Sequence, residues 1–222
     1  MDSTPESNVD RLTAQLRRMA ADFEIKPEER IVEGEMAKRL DVSRTPLREA
    51  LNRLVSEGYL TNTGGRGFFC RALTPDRILD LYETRAALEC EALRLTIARA
   101  TDADIAGLSE TLNSAMLNAD RLELLEMDEA FHIGLTQLAG NGELTRLLEN
   151  INGRIRYVRM IGLNAGDGVS AQLAAHRNIL RAVEARDLAG ALAALRAHIE
   201  LRKEDATQAV RTAFSEIYVQ AS

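Results

Sequence analysis

Apolar residues recur every three or four positions through most of the chain, and the rhythm breaks at proline, glycine and short polar clusters. After a polar start over Met1–Asn8, the spacing of Leu12, Leu16, Met19 and Phe23 predicts a first helix. Beyond the turn Lys26-Pro27-Glu28-Glu29-Arg30, Ile31-Val32 fits a short strand and Glu33–Leu40 a second helix, which Asp41-Val42-Ser43 breaks. The next helix carries Leu47, Leu51, Leu54 and Val55 on one face and stops at Glu57-Gly58, where glycine is suited to the left-handed turn that ends a helix. Two β-favouring segments follow, Tyr59–Asn62 and Phe68–Arg71. The linker Thr63-Gly64-Gly65-Arg66-Gly67 makes them a hairpin with a flexible basic tip.

From Thr74 onward the period is helical throughout. It predicts six helices, near 75–100, 102–118, 121–139, 143–162, 170–185 and 187–214. Thr74-Pro75 and Thr101-Asp102 have the chemistry of helix starts, Gly140-Asn141-Gly142 is a tight link, and Asn164-Ala165-Gly166-Asp167-Gly168 is the longest loop of this half. Short connections between consecutive helices predict an antiparallel bundle. The expected fold class is mainly α: an N-terminal winged helix-turn-helix over residues 1–72, then an all-α antiparallel helical bundle over residues 73–222.

Composition agrees with a helical body: alanine, leucine, arginine and glutamate dominate, aromatics make up 4% and tryptophan is absent. The formal charge of −6 is unevenly spread, with 12 basic and 12 acidic residues in 1–72 and 16 basic and 22 acidic ones afterwards. Net acidity argues weakly against nucleic-acid binding, but a phosphate responds to the local field of one face. The two cysteines, Cys70 and Cys90, lack metal-ligand spacing, and the chain shows neither a charged-then-apolar leader nor a membrane span. A cytoplasmic protein with no membrane partner is the expectation.

Chemistry concentrates in two places. The first is Val42-Ser43-Arg44-Thr45-Pro46-Leu47-Arg48-Glu49-Ala50-Leu51. Ser43 or Thr45 can cap this third helix, and Pro46 fits its first turn. Arg44 and Arg48 lie four apart on the polar face, so both guanidinium groups can reach into one major groove, where arginine recognises guanine. Arg66, between Gly65 and Gly67, suits a wing laid along backbone or minor groove. Two arginines alone would be equally consistent with a solvated charged helix; the whole order of helix, helix, turn, helix and basic hairpin is what points to double-stranded DNA.

The second place is the set of all three histidines. His132 lies four residues after Asp128 on the stripe Leu124, Leu125, Asp128, Phe131, His132, Leu135; His176 belongs with Leu173, Ile179, Leu180 and Val183, and His198 with Leu192, Leu195 and Ile199. One buried histidine is commonplace and is satisfied by nearby backbone. Three, with a carboxylate, turned into one helical core point to a divalent metal that satisfies them together. Zinc, nickel and manganese all remain open, and the donor set leaves positions on an octahedral ion that a small carboxylate effector could fill. Arg85, on the stripe Ile78, Leu81, Tyr82, Leu88, and Arg154, beside Leu147, Ile151 and Val158, are the candidate partners of that anion; the alternative for each is a structural salt bridge.

The segment Val42–Leu51, followed by Glu57-Gly58-Tyr59-Leu60 and Arg66-Gly67-Phe68, resembles the GntR superfamily of bacterial transcription regulators. Arg85-Ala86-Ala87-Leu88-Glu89, with Asp128, His132, His176 and His198, resembles the ligand-sensing FCD domain of its FadR branch, and six helices after the wing look like the VanR-type subgroup. The resemblance implies DNA contacts by Arg44, Thr45 and Arg48 and by the wing residues Gly65, Arg66 and Gly67, and metal ligation by Asp128 and the three histidines. Two positions depart from the family pattern: Gly34, where some relatives carry a DNA-contacting arginine, and Ala175, where glutamate is common before the second histidine. The expected protein is a metal-containing homodimeric regulator, more in keeping with a repressor than an activator, that binds a pseudo-palindromic operator and answers to a small carboxylate. A metal-dependent hydrolase is the alternative, since such a site also activates water, but the chain has no recognisable nucleophile motif or phosphate loop. A second alternative is a metal that only staples the bundle.

Overall fold

The computed structural model describes residues 7–113, 121–162 and 167–219, and the chain divides into two compact units, Met1–Leu73 and Thr74–Ser222. In the first unit the order is α1 (Asn8–Ala21), β1 (Arg30–Ile31), α2 (Glu33–Arg39), α3 (Arg44–Ser56), β2 (Leu60–Thr63) and β3 (Gly67–Cys70). The strands form one antiparallel sheet in the order β1-β3-β2, with Thr63 opposite Gly67 at the hairpin end. The expected winged arrangement is present.

Local chemistry sets these boundaries. Ser7 and Asp10 close a reciprocal capping box at the start of α1. The helix then ends at Ala21, earlier than the spacing through Phe23 predicts, because Phe23 takes a left-handed conformation (φ 57°) and the Ile25 N–H returns to the Met19 carbonyl. α2 and α3 stop by the same device. Asp41 (φ 51°) and Gly58 (φ 86°) adopt the left-handed turn, and the following residue bonds back to the helix, Val42 N–H to Ala37 and Tyr59 N–H to Leu54. Leu12, Leu16 and Met19 of α1 and Leu47, Ala50, Leu51 and Leu54 of α3 share one core with Phe68. The opposite face of α3 is left to solvent.

The second unit contains α4 (Pro75–Arg99), α5 (Asp102–Asn113), α6 (Arg121–Gln137), α7 (Gly142–Gly162), α8 (Asp167–Glu184) and α9 (Leu188–Val219), six helices among the described residues. Thr74 accepts from the Arg77 N–H, and Thr101 and Asp104 cap each other. α9 packs against α4, α7 and α8, so the centre of the bundle is lined by those helices together with α6. The predicted end of the second of these helices, through 118, lies outside the described residues, as does the 164–166 part of the expected long loop; Asp167 and Gly168 belong to α8. A second correction concerns α7. Its buried face runs Leu148, Ile151, Asn152, Ile155, Val158, Arg159, while Leu147 is exposed and Arg154 half-buried. A register read from Leu147 turns the wrong arginine inward.

No described helix is long and apolar enough to cross a membrane. Cys70 and Cys90 are both free thiols, and burial pushes the Cys70 thiol up to about 11, which keeps it protonated and inert.

Candidate functional site

The stripe on α6 buries Leu124, Leu125, Asp128, Phe131, His132 and Leu135. Asp128 and His132 lie one turn apart and so point the same way. His176 from α8 and His198 from α9 meet them in the bundle centre. The four residues are all buried, and one ligand atom from each lies within 4.8 Å of all the others. His198 Nε2 is 3.1 Å from His132 Nε2 and 3.3 Å from His176 Nε2, and Asp128 Oδ1 is 3.2 Å from His176 Nε2 and 3.7 Å from the other two. Two donor atoms each about 2.1 Å from one ion stand roughly 3.0 Å apart at a right angle and roughly 3.4 Å apart at the tetrahedral angle. The spacings therefore fit a metal.

The donor states fit as well. Burial lowers the basicity of all three imidazoles, so they are neutral and carry lone pairs near neutral pH. Burial also works against the Asp128 carboxylate, but the Arg159 guanidinium beside it holds it well below its usual range. His132 Nδ1 donates to Glu89 Oε2 at 2.5 Å, which leaves the lone pair on Nε2 and aims it at the cluster. Phe131 stacks on His176 with ring centroids 4.1 Å apart and fixes that ring's plane.

An outer layer of charge holds this centre. Arg85 is 1% exposed and donates from Nε to Glu89 Oε1 at 2.5 Å, so Arg85, Glu89 and His132 form one chain of contacts. Burial alone would raise the Glu89 carboxyl; Arg85 and His132 hold it at about 2. Asp128 is gripped from two sides, by Gln172 Nε2 on Oδ1 at 2.6 Å and by Arg159 on Oδ2. Arg159 and Arg156 also reach Glu129, at 3.3 and 2.5 Å.

Arg85, which the sequence leaves open between the effector's partner and a structural salt bridge, pairs with Glu89, one turn away on the same helix. Arg154 does not join the cluster. The inward arginine of α7 is Arg159, which periodicity reaches only if the stripe starts at Leu148. Glu89 and Gln172 also go unassigned by spacing alone, although each had a signal: Glu89 follows Arg85 by four on a buried face, and Gln172 precedes His176 by four.

The neutral imidazoles predict a pH dependence. In metal-free protein burial holds the folded histidines below the ordinary imidazole value of about 6.5, so on acidification the unfolded chain takes up protons first. Their contribution is complete above about pH 6.5 and is lost as pH falls through the depressed folded values. The melting temperature of chelated protein is expected to drop between about pH 7 and pH 5.5; a flat profile over that range would contradict neutral burial.

In the first unit, Ser43 occupies the N-cap of α3 without a side-chain capping bond, and Arg44, Thr45 and Arg48 are exposed on the face away from the core. Arg48 Nε lies 3.3 Å from Glu33 Oε2 at the start of α2. The Arg44 guanidinium lies over Gly34, where an added Cβ would come within 3.2 Å of its Nη2, so a side chain at this position would shift the guanidinium tip by a few tenths of an ångström. Arg66 stands exposed between Gly65 (φ 79°) and Gly67 (φ 96°), and its N–H returns to the Thr63 carbonyl, closing the wing turn. The exposed ion pair of Arg48 is weak enough to be exchanged for a base or phosphate.

Residues 8–70 match the family described as bacterial regulatory proteins, gntR family, and residues 80–201 match the FCD domain. The chain is 41% identical over 210 residues to the Nta operon transcriptional regulator of Aminobacter aminovorans, covering 92% of this chain and 97% of that protein. It is 26% identical over 196 residues to the HTH-type transcriptional repressor RspR of Escherichia coli (strain K12), covering 87% and 86%. Among solved structures it superposes on E. coli McbR/YncC with a TM-score of 0.68 at 20% identity, covering 97% and 99% of the two chains, which shows a shared fold. The Aminobacter aminovorans and RspR relatives are transcription regulators, and the hydrolase alternative is set aside with them. The chain belongs to the GntR family of bacterial regulatory proteins and carries an FCD domain behind its helix-turn-helix; it is a DNA-binding transcription regulator and not an enzyme.

Proposed function

We propose that this regulator is a homodimeric repressor whose grip on a pseudo-palindromic operator is released by a small carboxylate bound at a divalent metal on Asp128, His132, His176 and His198. The observation that carries this reading is the convergence of four buried ligand atoms within 4.8 Å. Such an ion would act as a Lewis acid for an exogenous oxygen donor while tying α6, α8 and α9 together. The description of RspR as a repressor supports the sign. Arg159 takes over from Arg85 and Arg154 as the partner of the effector's negative charge: it is buried, it already binds Asp128, and Asn152 Oδ1 lies 3.5 Å from its Nη1. Asn152 Nδ2 and the Tyr82 hydroxyl are buried with no hydrogen-bond partner among the described residues, and a carboxylate offers acceptors for both.

In the operator complex Arg44 and Arg48 read bases from α3 and Arg66 holds backbone or minor groove. Arg44→Ala or Arg48→Ala is expected to cost about 1–3 kcal/mol at the operator and to flatten discrimination at one base pair. Arg66→Ala is expected to weaken all sequences alike and to reduce the salt dependence of binding. Unchanged affinity in both helix variants, measured by fluorescence anisotropy at fixed salt, would remove α3 as the reading helix.

The effector reading is tested by adding short mono-, di- and tricarboxylates to metal-loaded protein on labelled operator. One class is expected to weaken binding, and the response should vanish after chelation. No response from any carboxylate would leave the metal as a staple between helices; sedimentation that shows a monomer on and off DNA would overturn the dimer.

A further inference from the structure

On the outer side of His198, α8 and α9 leave a solvent-facing groove of about 270 Å3. Its walls are mostly small and apolar, Ala171 and Ala175 from α8 and Ala194 and Ala197 from α9 with Leu201 beside them, and its polar residues are Asn178 from α8 and His198 and Arg202, the last two one turn apart on α9. Each of these two carries a buried nitrogen with no hydrogen-bond partner among the described residues: His198 Nδ1 and Arg202 Nε. His198 is 4% exposed, and its Nε2 belongs to the cluster. When Nε2 acts as a ligand, the ring proton sits on Nδ1, which is then a donor. Arg202 Nε is a donor too, on a guanidinium whose Nη1 reaches Asp205 Oδ2 at 3.1 Å. Two orphaned donor nitrogens on residues that line one groove, one of them cationic, match the two oxygens of a carboxylate.

The contrast with His132 sharpens the point. There Nδ1–H is answered from within the protein by Glu89 at 2.5 Å. Metal-bound histidines nearly always give their second N–H to a carboxylate, a carbonyl or water, and that acceptor strengthens the ligand.

We infer that the α8–α9 groove is a second anion site, outside the metal centre, which takes a small carboxylate between His198 Nδ1 and Arg202 Nε. The bound anion does for His198 what Glu89 does for His132, so metal and carboxylate each raise the affinity of the other. The inference rests on the proposed metal centre, because the metal fixes the proton on Nδ1. It does not require the groove ligand to be the one that releases the operator.

The test uses full-length zinc-loaded protein titrated with acetate, followed by NMR of the histidine ring nitrogens, with zinc affinity measured by competition against a chelating dye. His198 Nδ1 is expected to move saturably while the Nε2 signals of His132 and His176 hold still, and zinc affinity should rise by up to about tenfold. Arg202→Gln removes one donor and Ala194→Leu fills the groove without touching a ligand. Both are expected to abolish the movement with zinc content at the parent level. Ring nitrogens of all three histidines moving together would place acetate on the zinc, keeping the proposed effector site and overturning the groove. A His198 shift that survives Ala194→Leu, or no saturable shift in zinc-loaded parent, would overturn it as well. Parent protein that takes up no zinc would overturn the metal centre first and this inference with it.

Discussion

His176→Ala is expected to empty the metal centre and lower the melting temperature of the second unit to that of chelated parent. The residue supplies one of four ligand atoms, its Nε2 stands 3.2 Å from Asp128 Oδ1, and its ring is clamped by Phe131, so neither neighbour can replace it. Purified parent should carry about one divalent ion per chain, since structural metal binding is folding free energy. At an ion concentration a hundredfold above the dissociation constant, that binding is worth about 2.7 kcal/mol. For a body of this size each kcal/mol moves the midpoint by roughly 2–4 °C, so the expected loss is roughly 5–11 °C. Elemental analysis and thermal scans with and without chelator check it. Equal metal content in parent and variant, or a parent midpoint that ignores the chelator, would return the three histidines to the status of core residues. His132→Ala and His198→Ala are expected to follow the same course, the first more severely because it also takes the second partner from Glu89 and leaves that carboxylate to Arg85 alone.

How much of this was legible in the chain depends on whether a feature is local. The winged unit is written in short-range signals: the two left-handed stops at Asp41 and Gly58, the apolar face Leu47, Ala50, Leu51, Leu54, and the Gly65-Arg66-Gly67 tip. The four convergent metal-site candidates were legible too, because helical periodicity places Asp128, His132, His176 and His198 on inward faces, and several imidazoles in one core demand a common partner. What the sequence could not fix is how charges between helices pair off. Whether Arg159 or Arg154 faces the core turns on a register shift of one residue in α7, and Leu147 and Leu148 support either choice until the packing against α4, α6 and α9 decides. Gln172 reaches Asp128 across two helices, a contact with no sequence period at all. The Arg85–Glu89 pair is different. It is an ordinary i,i+4 pair, and its chemistry is hidden only because such pairs are usually solvated, whereas here both partners are 1% exposed.

That pair supports the second large effect: Arg85→Met is expected to destabilise the helical unit by about 3–5 kcal/mol, the typical cost of leaving one partner of a buried ion pair uncompensated. The guanidinium is what keeps the Glu89 carboxyl down at about 2 despite its burial. Without it the carboxyl rises and tends to take a proton. A protonated Glu89 accepts poorly from His132 Nδ1, the imidazole loses the contact that fixes its tautomer, and metal affinity should fall by about ten- to a hundredfold. The double variant Arg85→Met with Glu89→Gln is expected to regain much of the stability, because the amide oxygen accepts from His132 with no charge left to bury; a coupling of about 0.5–3 kcal/mol in the double-mutant cycle is the signature. Denaturant titrations of the four proteins, each with and without metal, measure it. Full stability and full metal content in Arg85→Met, together with a lost response to carboxylate, would reverse the conclusion: the guanidinium would then be the effector's partner, and Glu89 would need no cation of its own.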